Sequence, residues 1–455
     1  MTKNKYKNSY NLLQNDLKNK ILLLDGAMGT MIQQEKLTAD DFGGEKYEGC
    51  NDYLVLQRPD IIKNIHKRYL EAGSDIIETN SFGALDIVLK DYDLEDKAFE
   101  MNKAAAELVN KAIAEYRSEH PEVTRNLYVA GALGPSNKSI SVTGGVTFEE
   151  LIHSYYTAVS GLMAGGVDLI LFETIQDTRN LKAAYLGLKK AMEENYTVPL
   201  MLSFTIESTG TTLAGQTADA FYYAVNHMNP FSVGLNCATG PEFMTQFLKT
   251  LNNISNTYIS VYPNAGLPNE DGEYEETPDT LSAKIEPFFQ NNYLNIVGGC
   301  CGTTPEHIQK IKEKSVNYSP RVIDENKDFN DVSGLIALET PKNRPIYVGE
   351  RTNVIGSRIF KNLIASEKFD EATEVARLQI KGRADVIDIC LANPDRDEVA
   401  DMKAFLDKVA KFAKVPLMID STDINVIKEG LTYLQGKGII NSINLEDGEK
   451  KFADM

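Results

Sequence analysis

Eight short apolar runs punctuate the first part of the chain, at residues 21–25, 75–79, 127–133, 168–173, 200–204, 232–236, 258–262 and 294–297. Each is nearly continuous rather than alternating, which is the pattern of a strand buried on both faces. Most of the gaps hold segments with apolar residues at helical spacing: 59–72, 94–116, 148–164, 178–193 and 216–228. Strands that alternate with helices predict a parallel sheet covered on both sides, and eight is the number that closes a (β/α)8 TIM barrel. An open doubly wound sheet is the alternative with the same alternation. Pro199 stands just before the fifth run, where a strand tolerates it.

The pattern breaks into a polar stretch with Pro320, Gly334, Pro341 and the charged run Asp324-Glu325-Asn326-Lys327-Asp328, which reads as a linker over residues 321–344. A second series then predicts strands at 346–349, 385–389, 417–420 and 439–443, with helices at 367–383 and 399–412. The expected organisation is a barrel over 1–320, the linker, and a partial second (β/α) barrel over 345–455, the N-terminal half of such a unit. The chain accordingly reads as a fragment of a longer protein.

Composition narrows the class. Hydrophobic residues make up 42% and charged residues 25% of the 455 positions, ordinary for a globular enzyme, and no apolar run reaches membrane-spanning length. The formal net charge of −18 excludes nucleic acid or an anionic membrane as the main partner, since both would be repelled. The Lys- and Asn-rich first twenty residues lack the apolar core of a secretory signal. Five cysteines without a signal point to a reducing, cytoplasmic compartment with metal-binding or catalytic thiols.

Polar side chains suited to chemistry gather where the apolar runs end: Asp25, Glu78, Asn80, Glu173, Thr205, Asn236, Cys237, Asn264, Cys300 and Cys301. In a parallel barrel all these ends lie on the catalytic face. Three of the cysteines are among them. If closure of the barrel brings Cys237 to Cys300 and Cys301, three thiolates and a vacant fourth position describe a catalytic Zn²⁺ site. A thiol of pKa about 8.5 is only ~3% ionised at pH 7, whereas a metal-bound one is deprotonated outright. The other readings are a small buried hydrophobe for Cys237, a redox pair or simple packing for Cys300 and Cys301, and a phosphate nest for the glycines around them. Cys50 and Cys390 have no partner spacing and read as structural. None of the five histidines has metal spacing to another, and His307, at a helix start, is expected to be solvated.

Asp25-Gly26-Ala27-Met28-Gly29-Thr30, Phe172-Glu173-Thr174, Gly234-Leu235-Asn236-Cys237, Tyr262-Pro263-Asn264-Ala265-Gly266 and Gly298-Gly299-Cys300-Cys301-Gly302-Thr303-Thr304-Pro305 together resemble the homocysteine S-methyltransferase family, over about residues 15–320. The resemblance implies a zinc barrel with Cys237, Cys300 and Cys301 as ligands and catalytic centre, and homocysteine as substrate. For that zwitterion, Asp25 and Glu173 offer anionic oxygens to the ammonium. The Gly26 to Thr30 loop, with Gly29 and Thr30, offers backbone amides to the carboxylate, and Asn264 a polar contact. Helix capping or a structural ion pair is the alternative for the two acids.

The segment from Val348 to Arg358, with Asp420 and Asn441 at later strand ends, resembles the pterin-binding domain of cobalamin-dependent methionine synthases. Asn353, Asp420 and Asn441 match that family's pterin contacts, while Cys390 stands where the family usually has asparagine. The order of the two units resembles the N-terminal part of those enzymes. That implies methylcobalamin as immediate methyl donor, carried by a cobalamin-binding domain in cis or in trans, and methyltetrahydrofolate as co-substrate and ultimate donor. The expected reaction is methyl transfer to zinc-bound homocysteine thiolate, giving methionine. The rivals are a homocysteine methyltransferase that uses a small donor, betaine or S-methylmethionine, and a non-enzymatic zinc or dithiol redox module.

Overall fold

The computed structural model describes residues 2–269, 274–324, 327, 331–340, 344–445 and 448–454. Eight of its strands form one parallel sheet: β1 (Leu22–Leu23), β2 (Ile76–Glu78), β3 (Tyr128–Leu133), β4 (Leu169–Ile175), β5 (Leu200–Phe204), β6 (Ser232–Asn236), β7 (Tyr258–Tyr262) and β8 (Ile296–Val297). Their order is β1-β8-β7-β6-β5-β4-β3-β2, and a bridge between Leu24 and Ile76 joins the two ends. The sheet therefore curls into a barrel of the TIM type, and the open doubly wound alternative does not hold.

The continuous apolar runs are explained by burial on two sides. Leu22, Leu24, Ile76, Tyr128, Ala130, Leu169 and Leu171 belong to one interior cluster. Their sequence neighbours Ile77, Val129 and Ile170, pointing the other way, are just as buried. A strand with helices outside and a filled interior inside has no face left for polar residues. The helices between strands include Pro59–Ala72, Ala98–Glu119, Phe148–Gly165, Thr178–Glu194 and Ala218–Val225, close to their expected spans. An additional helix, Thr2–Asn19, was not foreseen; its Leu13 and Leu17 are fully buried in the same interior cluster.

By its contacts the chain divides into a first unit, Met1–Gln176, Asn180–Leu213 and Met228–Lys327, and a second, Asp177–Arg179, Ala214–His227 and Asp328–Met455. The stretch read as a linker is shared between them. Arg321 is buried in the first unit, where its guanidinium donates to Asn252 Oδ1, Thr257 O and Ser255 O at 2.8, 2.9 and 2.6 Å. In the second, β9 (Val332–Ser333) and β10 (Ala337–Leu338) pair as an antiparallel ladder. Residues 325, 326, 328–330 and 341–343 of that stretch lie outside the described residues. The second unit also holds a four-stranded parallel sheet, β11 (Val348–Gly349), β12 (Val386–Ile389), β13 (Leu417–Asp420) and β14 (Ile439–Asn441), in sequential order. Its core gathers Phe360, Ile387, Ile389, Phe405, Leu406 and Ile419. Among the described residues no helix is long and apolar enough to cross a membrane.

Candidate active site

Cys237 follows β6 in a left-handed backbone conformation, φ +56°, and so does Ala238 after it, also φ +56°. Two consecutive non-glycine residues in that region carry a cost of about 1–2 kcal/mol each. The turn is held by Cys237 N–H to Tyr262 O at 3.4 Å and Thr239 N–H to Cys237 O at 2.6 Å. Its effect is to aim the thiol across the barrel mouth.

The other two cysteines sit in the loop after β8, which is clamped from both sides. Gly299 N–H donates to Asp25 O at 3.0 Å, Cys300 N–H to Pro263 O at 2.9 Å, and Ala265 N–H to Cys301 O at 2.9 Å. Gly302 N–H donates to Thr30 Oγ1 at 3.0 Å, and the Thr303 hydroxyl donates to Cys300 O at 2.7 Å while accepting Ala27 N–H at 3.2 Å. Gly299 packs against the Thr303 side chain so closely that any Cβ there would overlap it.

These constraints bring the three sulfurs together. Cys237 Sγ and Cys301 Sγ are 3.9 Å apart, Cys300 Sγ and Cys301 Sγ 4.0 Å, and all three lie within 4.8 Å of one another. All are free thiols. Three sulfurs bonded to one zinc at about 2.3 Å each stand just under 4 Å apart in a tetrahedral arrangement, so the residues present fit that ion. Asn236, fully buried at the end of β6, supports the cluster. Its Oδ1 accepts from Ser203 Oγ at 2.6 Å and from Thr174 N–H at 3.0 Å. Its Nδ2 donates to Thr174 Oγ1 at 2.8 Å and faces Cys300 Sγ at 3.9 Å.

Beside the sulfurs lie three buried carboxyl groups, Asp25, Glu78 and Glu173, from the ends of β1, β2 and β4. Burial pushes all three towards protonation; Glu173 rises to about 8, with Cys237 adding to the effect. Glu78 is raised by burial, then by Glu173 and Asp25. Asp25 Oδ2 accepts Glu78 N–H at 3.1 Å. Asp25 Oδ1, Glu78 Oε1 and Asn264 Oδ1 are buried without a hydrogen-bond partner. Uncompensated buried acceptors are costly, and a cationic ligand would relieve them.

Several sequence expectations change here. The Gly26 to Thr30 segment is not all loop: a helix runs from Met28 to Gln34, so Gly29 and Thr30 lie in its first turn. The Thr30 hydroxyl is already engaged by Gly302. Glu78, for which the strand-end pattern assigns no role, joins the cluster through its carboxyl. His307 is not solvated: it is buried, with Nδ1 accepting Thr304 N–H at 3.2 Å and Nε2 facing Glu276 O at 2.9 Å. The signal for that was the Thr304-Pro305 helix start, whose amide a histidine three residues on can cap. Cys50 and Cys390 are buried, and burial raises each to about 12, as befits inert thiols.

In the second unit, Asn353 Nδ2 faces Asp388 Oδ2 at 3.2 Å and Asp420 Oδ2 at 3.4 Å. Its Oδ1 accepts the N–H groups of Ile355 and Gly356 at 2.9 and 3.0 Å. Burial raises Asp388 to about 6, and its Oδ1 has no partner. Asn441 is the register partner of Asp420 in the sheet, and its carbonyl accepts Ser421 N–H at 2.7 Å.

A closed parallel barrel with three convergent thiols and buried carboxyls at the C-terminal ends of its strands defines a thiol-handling barrel enzyme. Residues 22–315 match the family model described as homocysteine S-methyltransferase, and the chain belongs to that family. Residues 349–455 match the model described as pterin binding enzyme. Among solved structures, the oxidised form of the homocysteine methyltransferase MmuM from Escherichia coli is 22% identical with a TM-score of 0.55, covering 68% of this chain and 99% of that one. Its metallated form is 24% identical with a TM-score of 0.54, covering 66% and 97%.

These matches correct the larger expectation. The Escherichia coli chain, named a homocysteine methyltransferase, is covered almost end to end by two thirds of this chain, the extent of the barrel. The order of two units therefore does not by itself fix the methyl donor. The assignment to the N-terminal part of cobalamin-dependent methionine synthase falls. With it fall methylcobalamin, methyltetrahydrofolate as co-substrate, and a cobalamin-binding domain as partner.

Proposed function

We propose that the first unit methylates homocysteine from a small onium donor, a sulfonium such as S-methylmethionine or a quaternary ammonium such as betaine, giving methionine. The observation that carries the thiol chemistry is the convergence of Cys237, Cys300 and Cys301 within 4.8 Å. Zinc held by those three residues would present its remaining position to the substrate thiol and keep it ionised.

The chain's own residues do the rest. Asp25 and Glu173 take the substrate ammonium, whose positive charge offsets the cost that burial sets on ionising their carboxyls. The first-turn amides at Gly29 and Thr30 take the carboxylate, Asn264 supplies a polar contact, and the Thr30 hydroxyl ties the metal loop to the same turn. Glu78 adds a third acid, whose carboxyl is held towards the neutral form by burial and by its two acidic neighbours and would ionise beside a positively charged donor. Transfer from an onium to a thiolate cancels two opposite charges, so a dry, rigid site favours it over water while it lines up donor, methyl carbon and sulfur.

For the second unit we propose Asn353, Asp420 and Asn441 as polar contacts for a heterocyclic ligand of the kind its family description names, on four βα units of a partial barrel. Five free thiols favour a cytoplasmic setting.

The test is methionine formation from homocysteine with each donor by zinc-loaded protein, together with zinc-edge X-ray absorption. Homocysteine is expected to change the coordination from three sulfurs and a light atom to four sulfurs. An unchanged spectrum and no methionine with either donor would overturn the proposal.

A further inference from the structure

Thr205, one of the strand-end residues, has no part in the chemistry described so far. It follows β5, and its N–H donates to Ile175 O at 3.1 Å, which continues the ladder between β5 and β4. Alternation along β5 sets the direction of its side chain. Met201 belongs to the interior cluster, and Ser203 Oγ donates to Asn236 Oδ1 on the neighbouring strand at 2.6 Å. Asn236 is the register partner of Tyr262, another member of that cluster. Thr205, two residues beyond Ser203, therefore points inwards at the catalytic mouth. It is only 2% exposed, and its hydroxyl has no hydrogen-bond partner.

On the paired strand, Leu169 and Leu171 face the same interior, so Glu173 does too. The register between β4 and β5 shifts from Phe172–Leu202 to Ile175–Phe204, which inserts an extra residue on β4, with Thr174 at φ +54°. Such a bulge re-aims the side chains beside it. The Glu173 carboxyl and the Thr205 hydroxyl thus share the inner face of two adjacent strand ends.

A hydroxyl buried without a partner costs stability in the free protein, and a fold that retains one has a use for it. An ammonium group has three N–H donors. Asp25 and Glu173 supply acceptors for two of them. We propose that Thr205 is a substrate-binding residue whose hydroxyl oxygen accepts the third N–H of the homocysteine ammonium, beside Glu173. This rests on the function proposed above and completes its recognition of the amine.

The experiment is titration calorimetry of the zinc-loaded parent, Thr205→Val and Thr205→Ser, with homocysteine and with γ-mercaptobutyrate, the same thiol acid without the amino group. Valine keeps the shape and removes the hydroxyl; serine keeps the hydroxyl. Homocysteine affinity is expected to fall roughly tenfold in Thr205→Val and to hold in Thr205→Ser, while γ-mercaptobutyrate binds all three proteins alike. The Tm of ligand-free Thr205→Val should not fall, because no bond is broken. Equal homocysteine affinity in the parent and Thr205→Val overturns the proposal. So does an equal loss for both thiols, which sets the hydroxyl apart from the amine, and so does a lower Tm with affinity kept, the mark of a structural hydroxyl. A parent that binds neither thiol overturns the proposed function and this assignment with it, whereas a parent that binds both with no Thr205 effect counts against Thr205 alone.

Discussion

Replacing Glu173 with glutamine separates what the buried acid costs the fold from what it gives the substrate. Burial raises this carboxyl from its ordinary 4.5 to about 8. In the unfolded chain it ionises near 4.5, so the folded protein carries no penalty below that pH. The penalty then grows as pH rises and is complete above about 8. At pH 7 it amounts to about 3 kcal/mol, from roughly 1.4 kcal/mol for each pH unit above 4.5. For a unit of about 300 residues that corresponds to a Tm difference of roughly 5 °C. Metal-free, substrate-free Glu173→Gln should therefore melt about 5 °C higher than the parent at pH 7, relative to their difference at pH 4.5. Any constant cost of the amide cancels in that comparison. The same substitution removes a charge-assisted partner of the ammonium and should weaken homocysteine binding by roughly 10–100-fold. Scanning calorimetry from pH 4.5 to 8 and titration calorimetry with homocysteine measure the two halves. Parallel melting curves, or unchanged homocysteine affinity, would refute the assignment of Glu173 as a buried acid waiting for a cation.

Three further outcomes are expected. Asn236→Ala leaves the Thr174 N–H and two hydroxyls without their partner and should cost about 2–4 kcal/mol in denaturant unfolding; a loss under 0.5 kcal/mol would show that the Asn236 network is slack. Cys237→Ser should drop zinc content, by elemental mass spectrometry, well below the parent value while Cys390→Ser leaves it unchanged, and equal zinc in both variants would remove Cys237 from the ligand set. Gly234→Ala forces a Cβ into the Ser260 backbone of the neighbouring strand β7 and should destabilise the barrel by about 3 kcal/mol or more; a soluble variant with the parent's Tm would contradict that packing.

The residue pattern alone determined the number of strands in the first unit and the placement of its chemistry. A run such as Leu169 to Phe172, apolar at every position, can be buried on both faces only as a strand beneath helices. The C-terminal end of such a strand in a parallel barrel is where functional groups collect, so Glu173, Asn236 and Cys237 stood out before any coordinates. Four things were decided by tertiary structure. The meeting of Cys237 with Cys301, 64 residues apart, depends on barrel closure and on two left-handed residues that no periodicity signals. The Thr2–Asn19 helix, rich in Lys and Asn, is ordered by burying Leu13 and Leu17 rather than by its own propensity. The burial of His307 and the seating of Tyr274 over Gly302 are set by partners far off in the chain. Thr30 proved to brace the metal loop because its hydroxyl meets Gly302 across the barrel mouth. Local spacing encodes which side chains face one way along a strand or helix, but which donor meets which acceptor through space is settled only when the sheet closes.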